Sequence, residues 1–240
     1  MKSVILQTQG LSKSFGGVIA VNNANFTVHQ GELRCLIGPN GAGKSTFFNL
    51  IAAQLRPTSG SIRFKGSEIS RFQPYQVARL GIGIKCQVPM VYDELLTYEN
   101  LWLAARLRHS PEAAHSAVER TLQLIGLDKR ADYLVRGLTH SERQWVEIGM
   151  TVVADHELIL LDEPTAGMTQ AEASRTAELL KEIRKSMTLI VVEHDMAFVR
   201  QIATRVTVFH RGAVFAEGTM DEIRDNTAVQ DIYLGKDFKK

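Results

Sequence analysis

Cysteine, tryptophan and proline are scarce in this 240-residue sequence, at two, two and six residues. Cys35 and Cys86 lie far apart and form no Cys-x-x-Cys pair. That excludes a disulfide framework or a cysteine-rich zinc site and suits a reducing compartment. No window approaches the roughly 18–20 consecutive apolar residues of a membrane span. The long uncharged stretch after Lys13 is broken by Asn22, Asn23, Asn25, Thr27 and His29. Met1–Gln7 has too short an apolar core for a secretory signal, so the chain is expected in the cytosol, reaching any membrane through a partner. Net charge is only +2, from 28 basic and 26 acidic residues. Bulk electrostatics therefore offer no attraction to nucleic acid or anionic lipid. There is no repeat, low-complexity tract or flexible linker.

What is present is a globular composition, 45% hydrophobic and 22% charged, sufficient for a sizeable core in one or two domains. Strand-like and helix-like segments alternate, which predicts an α/β protein. Strands are expected over Val4–Gln7, Ile19–Val28, Gly31–Ile37, Ser61–Phe64, Glu157–Leu161 and Met187–Val192, with a hairpin of Val206–His210 and Ala213–Ala216 around Arg211-Gly212. A helix is expected over Lys44–Leu55, stopped by Pro57 and Gly60, and another over Thr169–Lys185. Gln73 to Ala154 reads as a helical middle, with one clear start at Ser110-Pro111. Thr219-x-x-Glu222 and Thr169-x-x-Glu172 are capping-box patterns.

The strongest chemical signal is Gly38-Pro39-Asn40-Gly41-Ala42-Gly43-Lys44-Ser45, a complete G-x-x-x-x-G-K-[ST] pattern between an apolar strand and a helix. Glycines let backbone N–H groups curl around a polyphosphate, and the helix N-terminus adds partial positive charge. Lys44 can reach the β/γ-phosphates and Ser45 can ligate Mg²⁺. An ordinary glycine-rich turn capped by Ser45 would not need all the fixed identities. Leu158-Ile159-Leu160-Leu161-Asp162 is an apolar strand ending in a carboxylate suited to hold Mg²⁺ through water. Glu163 follows and can act as general base on an attacking water. His194 ends another strand. It is either a structural residue or a contact at the γ-phosphate edge.

In this order, these elements resemble the ATPase subunit of ATP-binding-cassette transporters over nearly the whole chain. The resemblance implies a P-loop NTPase core with a mainly parallel sheet, an N-terminal antiparallel β subdomain and a helical subdomain. It implies one nucleotide-binding domain over 1–240, with lobes at 1–87 plus 155–240 and at 88–154. Gly38–Ser45, with Thr46, looks like the Walker A segment and Asp162 the end of Walker B, followed by the catalytic Glu163. Gln87 looks like the Q-loop glutamine, a sensor of Mg²⁺ and of the attacking water, and His194 like the switch histidine. Phe15 stands where the family stacks an aromatic on adenine, although the residue alone reads as core packing. Leu138-Thr139-His140-Ser141-Glu142 aligns with the Leu-Ser-Gly-Gly-Gln signature, in degraded form. Thr139, His140, Ser141 and Glu142 would meet ATP on a partner's P-loop. Ser141-x-x-Gln144 also reads as a simple helix cap. Ala166-Gly167-Met168-Thr169 falls at the D-loop.

The likeness is to the urea and branched-chain amino-acid importer group, most to the urea importer subunit, with the branched-chain importer ATPase as the alternative. It implies ATP and Mg²⁺ as cofactors and a peripheral position on the cytoplasmic face of the bacterial inner membrane. The implied partners are a second, different ATPase subunit bound head to tail, two transmembrane permease subunits and, indirectly, a periplasmic or lipid-anchored solute-binding protein. No nucleic acid is expected. The degraded signature keeps open a nucleotide-binding regulatory subunit with little turnover. A soluble cassette protein of DNA repair or translation would usually carry a long insertion or a second cassette. A GTPase would show Asn-Lys-x-Asp, which is absent.

Overall fold

The computed structural model describes residues 3–85 and 90–233. It is built on two sheets. The first is antiparallel: β1 (Val4–Phe15) and β2 (Val18–His29) form a long hairpin, and β4 (Ser59–Phe64) and the short β5 (Ser67–Glu68) extend it in the order β2-β1-β4-β5. The second runs β10-β9-β3-β8-β7-β6. Its members are β3 (Leu33–Ile37), β6 (Ile82–Lys85), β7 (Leu158–Asp162), β8 (Thr188–Val192), β9 (Arg205–His210) and β10 (Ala213–Gly218). Every pairing in it is parallel except that of β9 with β10. The expected α/β class and sheet organisation are present.

The central strands are buried along nearly their whole length because both faces are covered. Side chains alternate between two cores with the period of two that a strand imposes. Leu36, Leu158, Leu160, Ile190 and Val192 pack with the antiparallel sheet and with Phe47 and Phe48 of α1 (Lys44–Ile51). Cys35, Ile37, Ile159, Leu161, Leu189 and Val191 face the remaining helices. Those are α3 (Thr97–Ala105), α4 (Pro111–Ile125), α5 (His140–Val153), α6 (Gln170–Ile183) and α7 (Met196–Ile202). The same core takes Ile223 of α8 (Met220–Asp225) and Val229 of α9 (Thr227–Tyr233), and α2 (Pro74–Leu80) completes the helices described.

Arg34, 2% exposed, braces the junction of the sheets. Its guanidinium bonds Glu32 at 2.8 Å, Glu217 at 2.5 Å, Thr207 at 2.9 Å and the Thr27 carbonyl at 2.9 Å. A buried cation is tolerated only with partners of this kind.

Several boundaries differ from expectation. β1 continues past Gln7 to Phe15, because Gly10 (φ 58°) lies within the strand, where the pairing register shifts, and makes no turn. The helix expected to reach Leu55 ends at Ile51, since Ala53 turns left-handed at φ 56° before Pro57 is met. The helical middle contains a strand, β6. Gly83 in it has no room for a Cβ, which would stand 2.7 Å from the His156 ring. A strand of four residues with a central glycine leaves little periodic signal. α7 was not anticipated. It starts at Asp195, whose carboxylate accepts from the Ala197 and Phe198 amides. The caps at Ser110, Thr169 and Thr219 form as their patterns predict.

Candidate functional site

Four adjacent parallel strands deliver the candidate residues from their carboxyl ends, where ligands of open α/β sheets bind. β3 runs into Gly38–Ser45, β7 into Asp162-Glu163, β8 into Glu193-His194 and β6 ends at Lys85. The order β3-β8-β7-β6 places these ends side by side, with Asp162 opposite Val192 and Lys85 opposite Leu161. Gln87 lies outside the described residues.

The glycine loop is held close to its surroundings. A Cβ on Gly38 (φ 152°) would stand 2.3 Å from the Phe209 carbonyl, and one on Gly43 (φ 98°) 2.3 Å from the Ala20 carbonyl. Only glycine allows this approach and this backbone. Gly43 is the N-cap of α1 and has no side chain to occupy the first amides of the helix, so they remain directed toward an anion. Lys44 Nζ donates to the carbonyls of Gly38 at 2.6 Å and Pro39 at 3.1 Å. Burial lowers its pKa, against the pull of Glu163 and Asp162.

A cleft of about 290 Å³ lies over this loop, lined by Val18, Ile19 and Ala20, by Asn40 to Thr46, and by Glu163 and Val192. The hairpin tip beside it leaves Phe15, Val18 and Ile19 at 47%, 68% and 61% exposure. Phe15 therefore does not pack in the core; its ring carries the Lys13 ammonium 5.0 Å from its centroid. Exposed apolar groups next to a phosphate-type loop suit a ligand with a flat ring at one end and anionic charge at the other.

Asp162 is pushed up to about 6, first by burial and then by Glu163, with Lys85 and Lys44 opposing. A half-buried carboxylate so crowded is relieved by a cation. Among the described residues no group of three or more His, Cys, Asp or Glu can hold a metal alone. The hydroxyl of Ser45, which lines the cleft, and the crowded carboxylate of Asp162 are oxygen donors of the type a hard cation such as Mg²⁺ takes alongside waters and substrate phosphates. Glu163 sits at φ 44° and donates its amide to the Val192 carbonyl at 3.0 Å. Its carboxylate is 3.4 Å from His194 Nδ1. Glu193, 1% exposed, anchors this corner by accepting from Thr165 Oγ1 at 2.6 Å and the His194 amide at 3.1 Å. Glu193 and the apolar Val18-Ile19 were missed in the sequence. The only available signals were an acid directly before a histidine and two apolar residues beside a glycine pair.

The first turn of α5 requires a correction. Its capping box is Thr139 with Glu142, not Ser141 with Gln144: the helix starts at His140, so Ser141 lies inside it. Thr139 and His140 are exposed, whereas Ser141 and Glu142 are 3% and 8% exposed. The Glu142 carboxylate accepts from the Thr139 amide at 2.9 Å and pairs with Arg130 at 3.1 Å. The Ser141 hydroxyl donates to Glu172. Both side chains turn inward; Thr139 and His140 stay exposed, with Thr139 Oγ1 accepting from the Glu142 amide at 3.3 Å and His140 Nε2 lying 2.9 Å from the Ala166 carbonyl.

Residues 21–166 match the family model described as ABC transporter, and residues 213–239 the model described as branched-chain amino acid ATP-binding cassette transporter. The chain is 34% identical to the high-affinity branched-chain amino acid transport ATP-binding protein LivG of Escherichia coli K12, over 98% of this chain and 100% of LivG. It is 32% identical to BraF of Pseudomonas aeruginosa, which bears the same description, with the same coverage. Among solved structures it is similar to MJ1267, an ATP-binding cassette of an ABC transporter in its ADP conformation. The TM-score is 0.86 at 26% identity, over 98% of this chain and 100% of that one.

Proposed function

The chain belongs to the ATP-binding-cassette transporter family as an importer ATPase that couples ATP hydrolysis to transport, and we propose that its importer carries branched-chain amino acids. The full-length likeness to LivG carries this reading. Urea, expected first from the sequence, gains no support from these relatives, and the branched-chain alternative is the better backed.

In the proposed scheme Phe15 stacks on adenine, and the amides of Gly38–Thr46 with Lys44 hold the phosphates. Ser45, Asp162 and Gln87 would hold Mg²⁺, which neutralises phosphate charge when bound. Glu163 takes the proton of the attacking water, with His194 beside it orienting the γ-phosphate edge. Thr139 and His140 meet nucleotide on the P-loop of a second ATPase subunit bound head to tail. No helix among the described residues is long and apolar enough to cross a membrane. In our reading the chain works from the cytoplasmic face of the inner membrane through two permease subunits, with a solute-binding protein outside. A groove of about 410 Å³ lined by Tyr75, Met90, Tyr92, Leu107 and Met150 is an apolar surface suited to permease contact. In our reading the described α3–α5 region forms the helical lobe of a single nucleotide-binding domain.

The test is uptake by cells lacking this chain and by cells with it restored. Leucine uptake driven by the solute-binding protein is expected to depend on the chain, with urea uptake unchanged. Loss of urea uptake with leucine uptake intact would reverse the assignment. ATP binding without turnover in the assembled complex would favour a regulatory subunit.

A further inference from the structure

Side chains of its first turn fasten α5 to α6 and to the loop before α6. Ser141 Oγ donates to Glu172 Oε1 at 2.6 Å. The other oxygen of Glu172 accepts from the Thr169 amide at 2.8 Å and its hydroxyl at 2.7 Å. With all these donors the Glu172 carboxyl is held down at about 2, Ser141 being the largest cause. One residue before Ser141, His140 Nε2 lies 2.9 Å from the Ala166 carbonyl, with its ring against Gly167. Further along the same helices, Trp145 Nε1 donates to Thr176 Oγ1 at 2.9 Å, and Arg175 stacks 3.9 Å from the Trp145 centroid.

One carboxylate thus joins the N-termini of two helices. On the α6 side it closes the cap on Thr169, which ends the loop that follows Asp162 and Glu163. On the α5 side it holds Ser141, next to the exposed Thr139 and His140. A hydrogen bond to a carboxylate is stronger than one between neutral groups. Glycine at 141 would have no donor, so this link exists because the chain departs from the Leu-Ser-Gly-Gly-Gln pattern.

We propose that Ser141 and Glu172 are positioning residues for ATP hydrolysis: their hydrogen bond locks the Thr139–Ser141 turn to the Ala166–Thr169 loop, so that nucleotide engaged at the partner's site sets the geometry of this chain's own Glu163. The proposal rests on the head-to-tail ATPase reading. Its physical content is a short path of packed side chains and rigid helix starts between two sites. Neither residue touches the reacting atoms.

The test is a double-mutant cycle in the complete transporter carrying the full-length chain. Ser141→Ala, Ser141→Gly and Glu172→Ala are each expected to lower kcat for ATP at least tenfold, the scale of one lost hydrogen bond to a charged group, with KM unchanged. The Ser141→Ala/Glu172→Ala double variant is expected to be no slower than either single one. Thr169→Ala, which weakens the α6 cap but leaves the Ser141 bond, is expected to keep nearly the full rate. In the isolated full chain, hydrogen exchange at the amides of residues 140–145 is expected to quicken in Ser141→Ala and Glu172→Ala. Additive losses, an unchanged or raised kcat in Ser141→Gly, or a loss in Thr169→Ala equal to that in Glu172→Ala would overturn the proposal. Absence of turnover in the unaltered transporter would instead overturn the ATPase reading. The exchange measurement needs no turnover and judges the tether on its own, unchanged exchange counting against it.

Discussion

Asp162 carries an electrostatic cost set by its place in the fold. Folding raises its pKa from 3.8 to about 6, chiefly by burial. The native state therefore holds this proton more tightly than the unfolded chain. The associated stability is complete below the unfolded value and is lost as pH climbs through 6, so near neutrality the ionised group opposes folding. Asp162→Asn is expected to stabilise the fold near pH 7 by about 1–2 kcal/mol after solvent screening, raising the melting temperature, with the gain nearly gone near pH 4. Steady-state ATP hydrolysis should be lost in the same variant. Calorimetry at both pH values, paired with phosphate release, checks both halves; a gain equal at the two pH values would rule out the electrostatic origin. Next to it, Glu163 occupies a left-handed backbone conformation kept in place by the bond to Val192. Glu163→Gln preserves its shape and removes the base. Mg-ATP binding by titration should persist, while turnover falls roughly 10²- to 10⁴-fold. Retained turnover would take Glu163 out of that role.

At the scale of elements, the glycine loop depends on how closely β2, β9 and α1 approach one another. Gly43 meets the Ala20 carbonyl of β2 and Gly38 the Phe209 carbonyl of β9. The Gly212 amide donates to the Ala42 carbonyl at 2.9 Å, and the Asn22 amide to the Gly212 carbonyl at 2.8 Å. The β1–β2 and β9–β10 hairpins therefore clamp the loop from outside the parallel sheet. Gly43→Ala would force a Cβ to 2.3 Å from a carbonyl at φ 98°. We expect a stability loss of about 2–4 kcal/mol and at least a tenfold loss of Mg-ATP affinity. Thermal melting and titration are the measurements. Normal affinity in a folded variant would show that the loop can relax where the packing says it cannot.

At the scale of the whole molecule, the two candidate ATP-contacting surfaces of this chain differ in completeness. The P-loop side has its lysine, carboxylates and histidine clustered in and around one cleft. On the α5 side all four side chains from Thr139 to Glu142 make internal bonds, and only Thr139 and His140 are exposed. We therefore expect the purified chain alone to hydrolyse ATP slowly. Addition of the partner ATPase subunit should raise the rate at least tenfold, through the site that combines this chain's P-loop with the partner's signature. Phosphate release against partner concentration tests this, and a fast homodimer would contradict it.

The linear chain was sufficient for whatever depends on neighbours in sequence. Gly38–Ser45, the apolar run into Asp162-Glu163 and the caps at Ser110, Thr169 and Thr219 all follow from local backbone and hydrogen-bond chemistry. Contacts between distant segments could not be read that way. β6 is a strand only because β7 offers it an edge and His156 fills the space above Gly83. Phe15 is exposed because its hairpin reaches beyond the core toward the loop. Ser141 faces Glu172, 31 residues away, because α5 and α6 dock through Trp145 and Thr176. Burial and long-range partners belong to the folded packing, and it is they that turned Ser141 and Glu142 inward.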